Sequence, residues 1–215
     1  MEDNSRMSVH YHFEVLPSVQ KDILQTLSSQ RWLDAFYLVG GTALALHIGH
    51  RQSVDFDFFT RSDFKNGDII SYLMKLGQFE LFDEAQHTVN GSLNNVKLSF
   101  IKYDYPLLKS THNCSSIQLA DIIDIATMKL SAISGRGDKK DFIDMYFLLK
   151  QFAFSELFAA YKEKYGEQVS NFYHLQKSLL YFKDAESQPM PRMLKTVEWE
   201  DIKKTIIQKV KEIGL

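Results

Sequence analysis

Apolar residues up to about residue 112 alternate between helical and strand spacing. Three stretches carry the i, i+3, i+4 spacing of a helix, and short apolar runs between them suit strands. An Asn-Gly pair between two further apolar runs is typical of a hairpin turn. The pattern predicts helices over 17–29, 42–48 and 69–76, strands over 36–39 and 54–59, and a hairpin of 79–89 with 93–103 around Asn90-Gly91.

Helical spacing dominates from Ser115 onward. Predicted helices cover 117–133, 141–152, 154–165 and 168–182, and a final apolar stripe comprises Trp199, Ile202, Ile206, Val210 and Ile213. The order of elements predicts an α/β (α+β) fold, with a small mixed sheet flanked by helices over 1–112 and a helical region over 113–215 packed on it. Residues 184–192, which hold two of the four prolines, are the one weak linker candidate.

Composition narrows the class of protein. The 215 residues are 45% apolar and 13% aromatic, enough for a sizeable core. Cys114 is the only cysteine, so an internal disulfide is excluded and a reducing compartment is expected. The start lacks the apolar run of a signal peptide and no segment is apolar enough to span a membrane, which favours a cytoplasmic protein without a membrane partner. A net charge of −2 restricts any nucleic-acid contact to a local patch.

Two aspartates one residue apart are the first candidate for chemistry. In the stretch Val54-Asp55-Phe56-Asp57-Phe58, strand alternation puts Asp55 and Asp57 on one face and sends the three apolar side chains into a core. Neighbouring carboxylates repel each other, and a magnesium ion would compensate that repulsion while also binding substrate phosphates. We therefore predict a Mg²⁺ site at Asp55 and Asp57.

A glycine turn precedes this acidic strand. At Gly40 and Gly41 the backbone can approach a phosphate closely, and the first N–H groups of the next helix, with the Thr42 hydroxyl, would point at it. A plain tight turn is the alternative. Arg51, just before the acidic strand, could reach a phosphate or steady Asp55. His47 and His50 are more typical of a helix surface or helix end than of a magnesium-type site.

A second group of charges lies in the helical half. Lys129 stands in an apolar stretch, so it either extends its ammonium to the surface or offers it to an anion such as a triphosphate. Asp141 and Asp144 are three residues apart on one helical face and can reach the same point. Their alternative role is capping, with Asp138 as N-cap and Asp141 completing a capping box. Four C-terminal lysines favour a solvated helix face over a nucleic-acid patch: Lys203, Lys204, Lys209 and Lys211.

Two segments of the chain resemble the AbiEii/AbiGii family of nucleotidyltransferases, the toxic half of a class of bacterial toxin–antitoxin and abortive-infection systems. They are LVGGTALALHIGHRQSVDFDFF and DIIDIATMKLSAISGRGDKKDFIDMYFLL. The resemblance covers about residues 15–150 and implies a nucleotidyltransferase-like fold. It implies catalytic roles for Asp55, Asp57, Lys129, Asp141 and Asp144, with Asp55 and Asp57 as metal ligands, and nucleotide binding by Gly40, Gly41, Thr42, Arg51 and Arg136.

The resemblance also implies the partners: a nucleoside triphosphate, a tRNA, other RNA or protein hydroxyl as acceptor, and an antitoxin protein. One position departs from polymerase-like relatives, which usually carry a third carboxylate on a later strand, where this chain offers Lys97 and Ser99. Asp104, Asp141 or Asp144 could supply the missing acid. The first hypothesis is a magnesium-dependent nucleotidyltransferase. The alternatives are a catalytically degraded member that binds nucleotide or a protein without turnover, and a metal-dependent phosphohydrolase.

Overall fold

Seven strands form one mixed sheet in the computed structural model, which describes residues 10–167 and 171–212. Their spatial order is β3-β4-β5-β2-β1-β7-β6. β1 runs antiparallel to β2 and parallel to β7, and β2 runs parallel to β5. The bounds are β1 Tyr37–Val39, β2 Phe56–Thr60, β3 Phe79–Ala85, β4 Thr88–Leu93, β5 Val96–Lys102, β6 His112–Cys114 and β7 Ile117–Leu119.

Helices precede, interrupt and follow the sheet, as expected for an α/β (α+β) chain. Short 3₁₀ helices lie at Phe13–Val15 and Arg31–Ala35. The α-helices are α1 Ser18–Ser28, α2 Gly40–Ile48, α3 Asn66–Leu76, α4 Ile122–Gly135, α5 Lys139–Leu148, α6 Phe154–Tyr165, α7 Phe172–Leu179, α8 Lys183–Glu186 and α9 Trp199–Lys211. The predicted fold class is confirmed, whereas the division of the chain at residue 112 stays a prediction.

Burial along the central strands follows from side-chain alternation. Phe56 and Phe58 of β2 are fully buried on one face of the sheet, and Asp57 and Phe59 point to the other. β1 has neighbours on both sides and is buried throughout, which explains its uninterrupted apolar sequence. α2 is packed in the same core and ends at Gly49, whose left-handed φ of 68° suits a helix C-terminus.

Several predicted details are wrong for local reasons. Asn90-Gly91 lies inside β4 rather than at a turn, because both residues pair with β3 and β5. Glycine is needed there for packing, since a Cβ on residue 91 would overlap the backbone of Glu80 on β3. The chain turns instead at His87 and at Asn94-Asn95, all with positive φ. Val54 precedes β2 and is 46% exposed, so it does not join the core. Residues 117–119 form β7 rather than the start of a helix, because they pair with β1 and β6.

A buried ion pair joins two helices of the helical half. Lys164 of α6 donates to Asp124 of α4 over 2.7 Å, and both side chains are fully buried. Asp124 also accepts bonds from the backbone N–H groups of Leu108 and Lys109, so the segment after β5 is held against α4. The predicted helix 154–165 is confirmed, and the described part of the final apolar stripe lies on α9. Residues 168–170 and Ile213 lie outside the described residues. No helix in 10–167 or 171–212 is long and apolar enough to cross a bilayer.

Candidate active site

The glycine turn leads straight from β1 into α2. Gly40 has a φ of 70°, and a Cβ there would overlap the Oδ2 atom of Asp57, so the carboxylate lies against the turn. A Cβ on Gly41 would come within 2.5 Å of the Arg51 Nη2 atom. α2 has no side-chain cap among the described residues, so the N–H groups of its first turn are available to an anion.

Thr42 joins the glycine turn to the acidic segment. Its hydroxyl donates to the backbone carbonyl of Asp55 and lies 2.8 Å from the Ser53 hydroxyl. The prediction that this hydroxyl points at a phosphate is therefore wrong, because it is committed to the loop before β2. Any role of Thr42 in nucleotide binding would use its backbone N–H and stays a prediction.

Asp55 and Asp57 face the cleft with no ion pair or side-chain hydrogen bond to another described residue. Asp57 is on β2, and Asp55 lies one residue before the strand begins. Burial raises the pKa of Asp57, the charge of Asp55 adds to the rise, and Lys129 offsets part of it. The pair is therefore a partly buried negative charge that a cation would relieve.

Asp144, in contrast to Asp55 and Asp57, is surrounded by basic side chains that bond to both of its carboxylate oxygens. Arg51 donates to it through Nε at 2.7 Å and Nη2 at 2.9 Å, and His50 Nε2 donates at 2.7 Å. Although burial alone would raise it, Arg51 and Lys129 hold the pKa of Asp144 well below its usual range. His50 directly follows the Gly49 cap, which fits the helix-end alternative, and its side chain is fully buried. Its pKa is lowered by burial, which favours the neutral ring.

Lys129 lies between the two aspartates of α5. Its Nζ atom is 2.9 Å from Asp141 and 2.6 Å from Asp144, so the prediction that both carboxylates reach one point is confirmed. Arg136 also donates to Asp141, at 3.1 Å. The capping interpretation of Asp141 is wrong, because its carboxylate binds these cations, and Asp138 caps no backbone N–H although it holds the N-cap position. Burial alone would raise the pKa of Asp141, but Lys129 and Arg136 lower it below its usual value.

Ser99 occupies the place beside Asp57 where polymerase-like relatives usually carry an acid. The two residues are direct partners in the register of β2 and β5, on one face of the sheet. Asp104, the nearest alternative along the chain, is exposed and pairs with Lys102 at 3.1 Å. In 10–167 and 171–212 no three His, Cys, Asp or Glu side chains are grouped so as to hold a metal ion. The acid pair is therefore not completed by a third described carboxylate.

The cleft has two lobes that meet at Gly40, Asp57, Lys129 and Arg136. The polar lobe has a volume of about 320 Å³ and contains the glycine turn and the acid pair. The second lobe, of about 340 Å³, has apolar and aromatic walls that include Ile101, Met128, Tyr103 and Tyr165. The Tyr103 and Tyr165 hydroxyls are 2.7 Å apart. All ten predicted site residues lie in or directly behind this cleft.

Some residues of the cleft were missed by sequence reasoning. Lys140 and Arg192 line the polar lobe, and Tyr103 and Tyr165 line the other. Arg192 is contributed by the proline-containing segment interpreted as a linker, and that segment bonds back onto the cleft through its backbone. A proline on each side of Met190 is the only signal in the sequence that this stretch has a fixed path.

The C-terminal lysines stand on α9, away from this cleft. Lys203 pairs with Glu186 and Glu200, at 2.6 and 2.7 Å, and Lys209 pairs with Glu212 at 3.0 Å. Such exposed pairs support the interpretation of a solvated helix face.

Comparisons with known proteins agree with this architecture. The family model described as "Nucleotidyl transferase AbiEii toxin, Type IV TA system" matches residues 22–109 and 91–212. The uncharacterized protein aq_aa25 of Aquifex aeolicus is 37% identical over 205 residues, covering 92% of this chain and 97% of that protein.

Two solved structures from Helicobacter pylori share the fold at low identity. JHP933 has a TM-score of 0.57 at 16% identity, covering 94% of this chain and 90% of its own. A proposed nucleotidyltransferase has a TM-score of 0.56 at 15% identity, covering 94% and 92%. The family match extends over both halves of the cleft, from the glycine turn to α9. The chain therefore belongs to the AbiEii family of nucleotidyltransferase toxins of type IV toxin–antitoxin systems.

Proposed function

We propose that this enzyme transfers a nucleotide from a nucleoside triphosphate to an acceptor hydroxyl in a magnesium-dependent reaction. The acceptor oxygen forms a bond to the α-phosphorus, the bond from that phosphorus to the bridging oxygen breaks, and pyrophosphate leaves. The hydroxyl proton passes to water. In chemistry of this type the protein contributes mainly by positioning and electrostatic stabilisation.

One observation carries the proposal: the unpaired acids and the paired cations meet at one cleft. Asp55, Asp57, Lys129 and Arg136 all line its polar lobe. The ammonium of Lys129 is held in place by two aspartates, so it is fixed in position before a substrate binds. A phosphate chain in this lobe would meet both metal-binding oxygens and fixed cations.

Magnesium fits the donor set. Asp55 and Asp57 are hard oxygen donors, and neither makes an ion pair with another described residue, so both have oxygens free for a cation. Mg²⁺ typically takes one or two carboxylates together with substrate phosphates. Bound there, it would neutralise charge on the reacting phosphate, which is the chemistry that a divalent ion supplies in such enzymes.

The chain's own residues divide the remaining work. The backbone N–H groups that open α2 at Gly40 and Gly41 would bind a phosphate, because that helix end is uncapped. The second lobe would hold the nucleoside, with the base against Tyr103 and Tyr165. Asp141 and Asp144 would act by holding Lys129 and Arg51 rather than by touching substrate.

A groove beyond Arg136 favours an RNA end as acceptor. It is lined by Arg136, His174, Lys177 and Tyr181, and it shares Arg136 with the cleft. Tyr181 is 52% exposed, so a base could stack on its ring. An RNA substrate in the cytoplasm of a bacterium, and a partner antitoxin that restrains the enzyme, would follow from the toxin family.

Incubation of the purified protein with α-labelled triphosphates, Mg²⁺ and total tRNA tests the proposal. Label should enter RNA or protein in the parent and be lost in Asp57→Asn. A parent protein that labels neither RNA nor protein would contradict the proposal. Release of free phosphate without a labelled acceptor would indicate a phosphohydrolase instead.

A second candidate function rests on Ser99. With serine beside Asp57 in the strand register, the chain could bind nucleotide or a protein partner without turnover. Ser99→Asp distinguishes the two readings: a degraded enzyme would gain activity from the added carboxylate, whereas an active two-carboxylate enzyme would already label its acceptor without it.

A further inference from the structure

Five cationic side chains line the polar lobe of the cleft, but they are not equivalent. They are Arg51, Lys129, Arg136, Lys140 and Arg192. The first three each pair with Asp141 or Asp144. Lys140 and Arg192 have no ion pair with any residue in the described ranges, and both are exposed. A triphosphate would therefore find two uncommitted positive charges at the rim of the lobe.

Arg192 is exposed, yet its backbone is fixed. The Gln52 N–H donates to the Arg192 carbonyl over 2.8 Å, and the Leu194 N–H donates to the His50 carbonyl over 2.9 Å. Lys195 Nζ donates to the carbonyl of Ile48 over 2.6 Å. These bonds tie the 192–195 segment to the last residue of α2 and to the loop between α2 and β2. The guanidinium is thus held near the cleft while its side chain stays free to meet a ligand.

Lys140 reaches the polar lobe from α5. It is in the first turn of α5, one residue before Asp141. It lines the same lobe as Asp55, Asp57 and Arg192. The acid pair and both uncommitted cations therefore share one lobe.

We propose that Lys140 and Arg192 form a clamp for the two terminal phosphates, so that the site selects triphosphates and holds the departing pyrophosphate. The clamp rests on the proposed function. The α-phosphate would lie at Asp57 and Lys129, which the two lobes share, and the rest of the chain would extend along the polar lobe towards Pro191 and Arg192. Charged hydrogen bonds to phosphate are among the stronger polar contacts.

Binding of inorganic pyrophosphate and of a nucleoside monophosphate, each measured by calorimetry with Mg²⁺, tests the clamp. Arg192→Gln and Lys140→Gln should each weaken pyrophosphate binding by about 10-fold and leave monophosphate binding unchanged. Arg192→Lys should recover part of the loss, because it keeps the charge. Lys204→Gln removes an equally exposed lysine on α9 and should change neither affinity.

The outcomes separate the clamp from the proposed function. Pyrophosphate affinity equal to the parent's in both glutamine variants would overturn the clamp, as would equal losses of pyrophosphate and monophosphate binding. A parent protein that binds pyrophosphate through these residues but transfers no nucleotide would support the clamp and contradict the proposed transferase reaction. Thermal unfolding at the parent's temperature confirms that each variant is folded.

Discussion

Two pairs of aspartates lie at the cleft, one facing it and one buried behind it, and their surroundings differ in charge and in hydrogen bonding. Asp55 and Asp57 have no cationic partner among the described residues, and burial raises the pKa of Asp57. Asp141 and Asp144 are fully buried, and Arg51, Lys129 and Arg136 hold their pKa values low. The difference teaches that a carboxylate without a partner is available to a ligand, whereas a saturated carboxylate fixes the cations around it.

Substitution of the unpaired pair should give the largest effect on activity. Asp57→Asn keeps the shape of the side chain but removes the charge, and nucleotide transfer should fall by about 100-fold or more. Stability without metal should be equal or higher, because repulsion between the two carboxylates is gone. Transfer rates and thermal unfolding of the same preparation measure both quantities. A variant that unfolds at a lower temperature than the parent would contradict this, because Asp57 would then stabilise the fold as Asp141 and Asp144 do.

Substitution of the saturated pair should act first on stability. Asp144→Asn leaves Arg51 and Lys129 buried without their shared counter-charge, and removal of one partner of a buried ion pair costs about 3–5 kcal/mol. Urea unfolding measures the loss. A decrease below about 1 kcal/mol would contradict the assigned role, because a surface pair contributes about that much.

The two pairs should also respond to acid with opposite signs. The folded-state pKa of Asp144 lies below its unfolded value, so its contribution to stability is complete above roughly pH 4–5 and is lost as the pH falls. The free energy of unfolding should therefore fall from neutral to acidic pH in the parent, and fall less in Asp144→Asn. The pKa of Asp57 is raised, so Asp57→Asn should make the acid loss steeper. The same dependence of unfolding free energy on pH in the parent and both variants would contradict the opposite roles of Asp57 and Asp144.

A change in the glycine turn should give the smallest effect on stability. Gly40→Ala places a methyl group against the Asp57 carboxylate at a positive φ, which costs about 1–2 kcal/mol. Activity should fall as well, because the carboxylate must shift. Gly67→Ala is the matched control: it lies in α3 with no atom within 4 Å of an added Cβ, so it should stabilise by about 0.5–1 kcal/mol. Equal changes in stability and activity for the two substitutions would show that the turn does not require glycine at residue 40.

The sequence predicted those parts of the site that depend on local spacing. Strand alternation correctly separated Asp57 from Phe56 and Phe58, and helical spacing correctly brought Asp141 and Asp144 to one point. The missing acid at Ser99 was expected from the family resemblance rather than from spacing, and the strand register places Ser99 beside Asp57.

Contacts between distant segments could not be predicted in this way. The bidentate bond of Arg51 to Asp144 joins residues 93 apart, and local spacing holds no information on such a pair. The return of Arg192 to the cleft depends on backbone bonds to 50–52, for which the proline-containing sequence gives no partner. The Asn90-Gly91 turn was predicted from a dipeptide preference, which the packing of β3 against β4 overrode.

Binding of Mn²⁺, a paramagnetic substitute for Mg²⁺, tests the contrast between the two aspartate pairs most directly. Electron paramagnetic resonance of the parent should show saturable binding that is lost in Asp57→Asn and retained in Asp144→Asn under conditions where both variants are folded. The account predicts this pattern because only the first pair has oxygens free for a metal. Unchanged Mn²⁺ binding in Asp57→Asn, or its loss in Asp144→Asn alone, would contradict it.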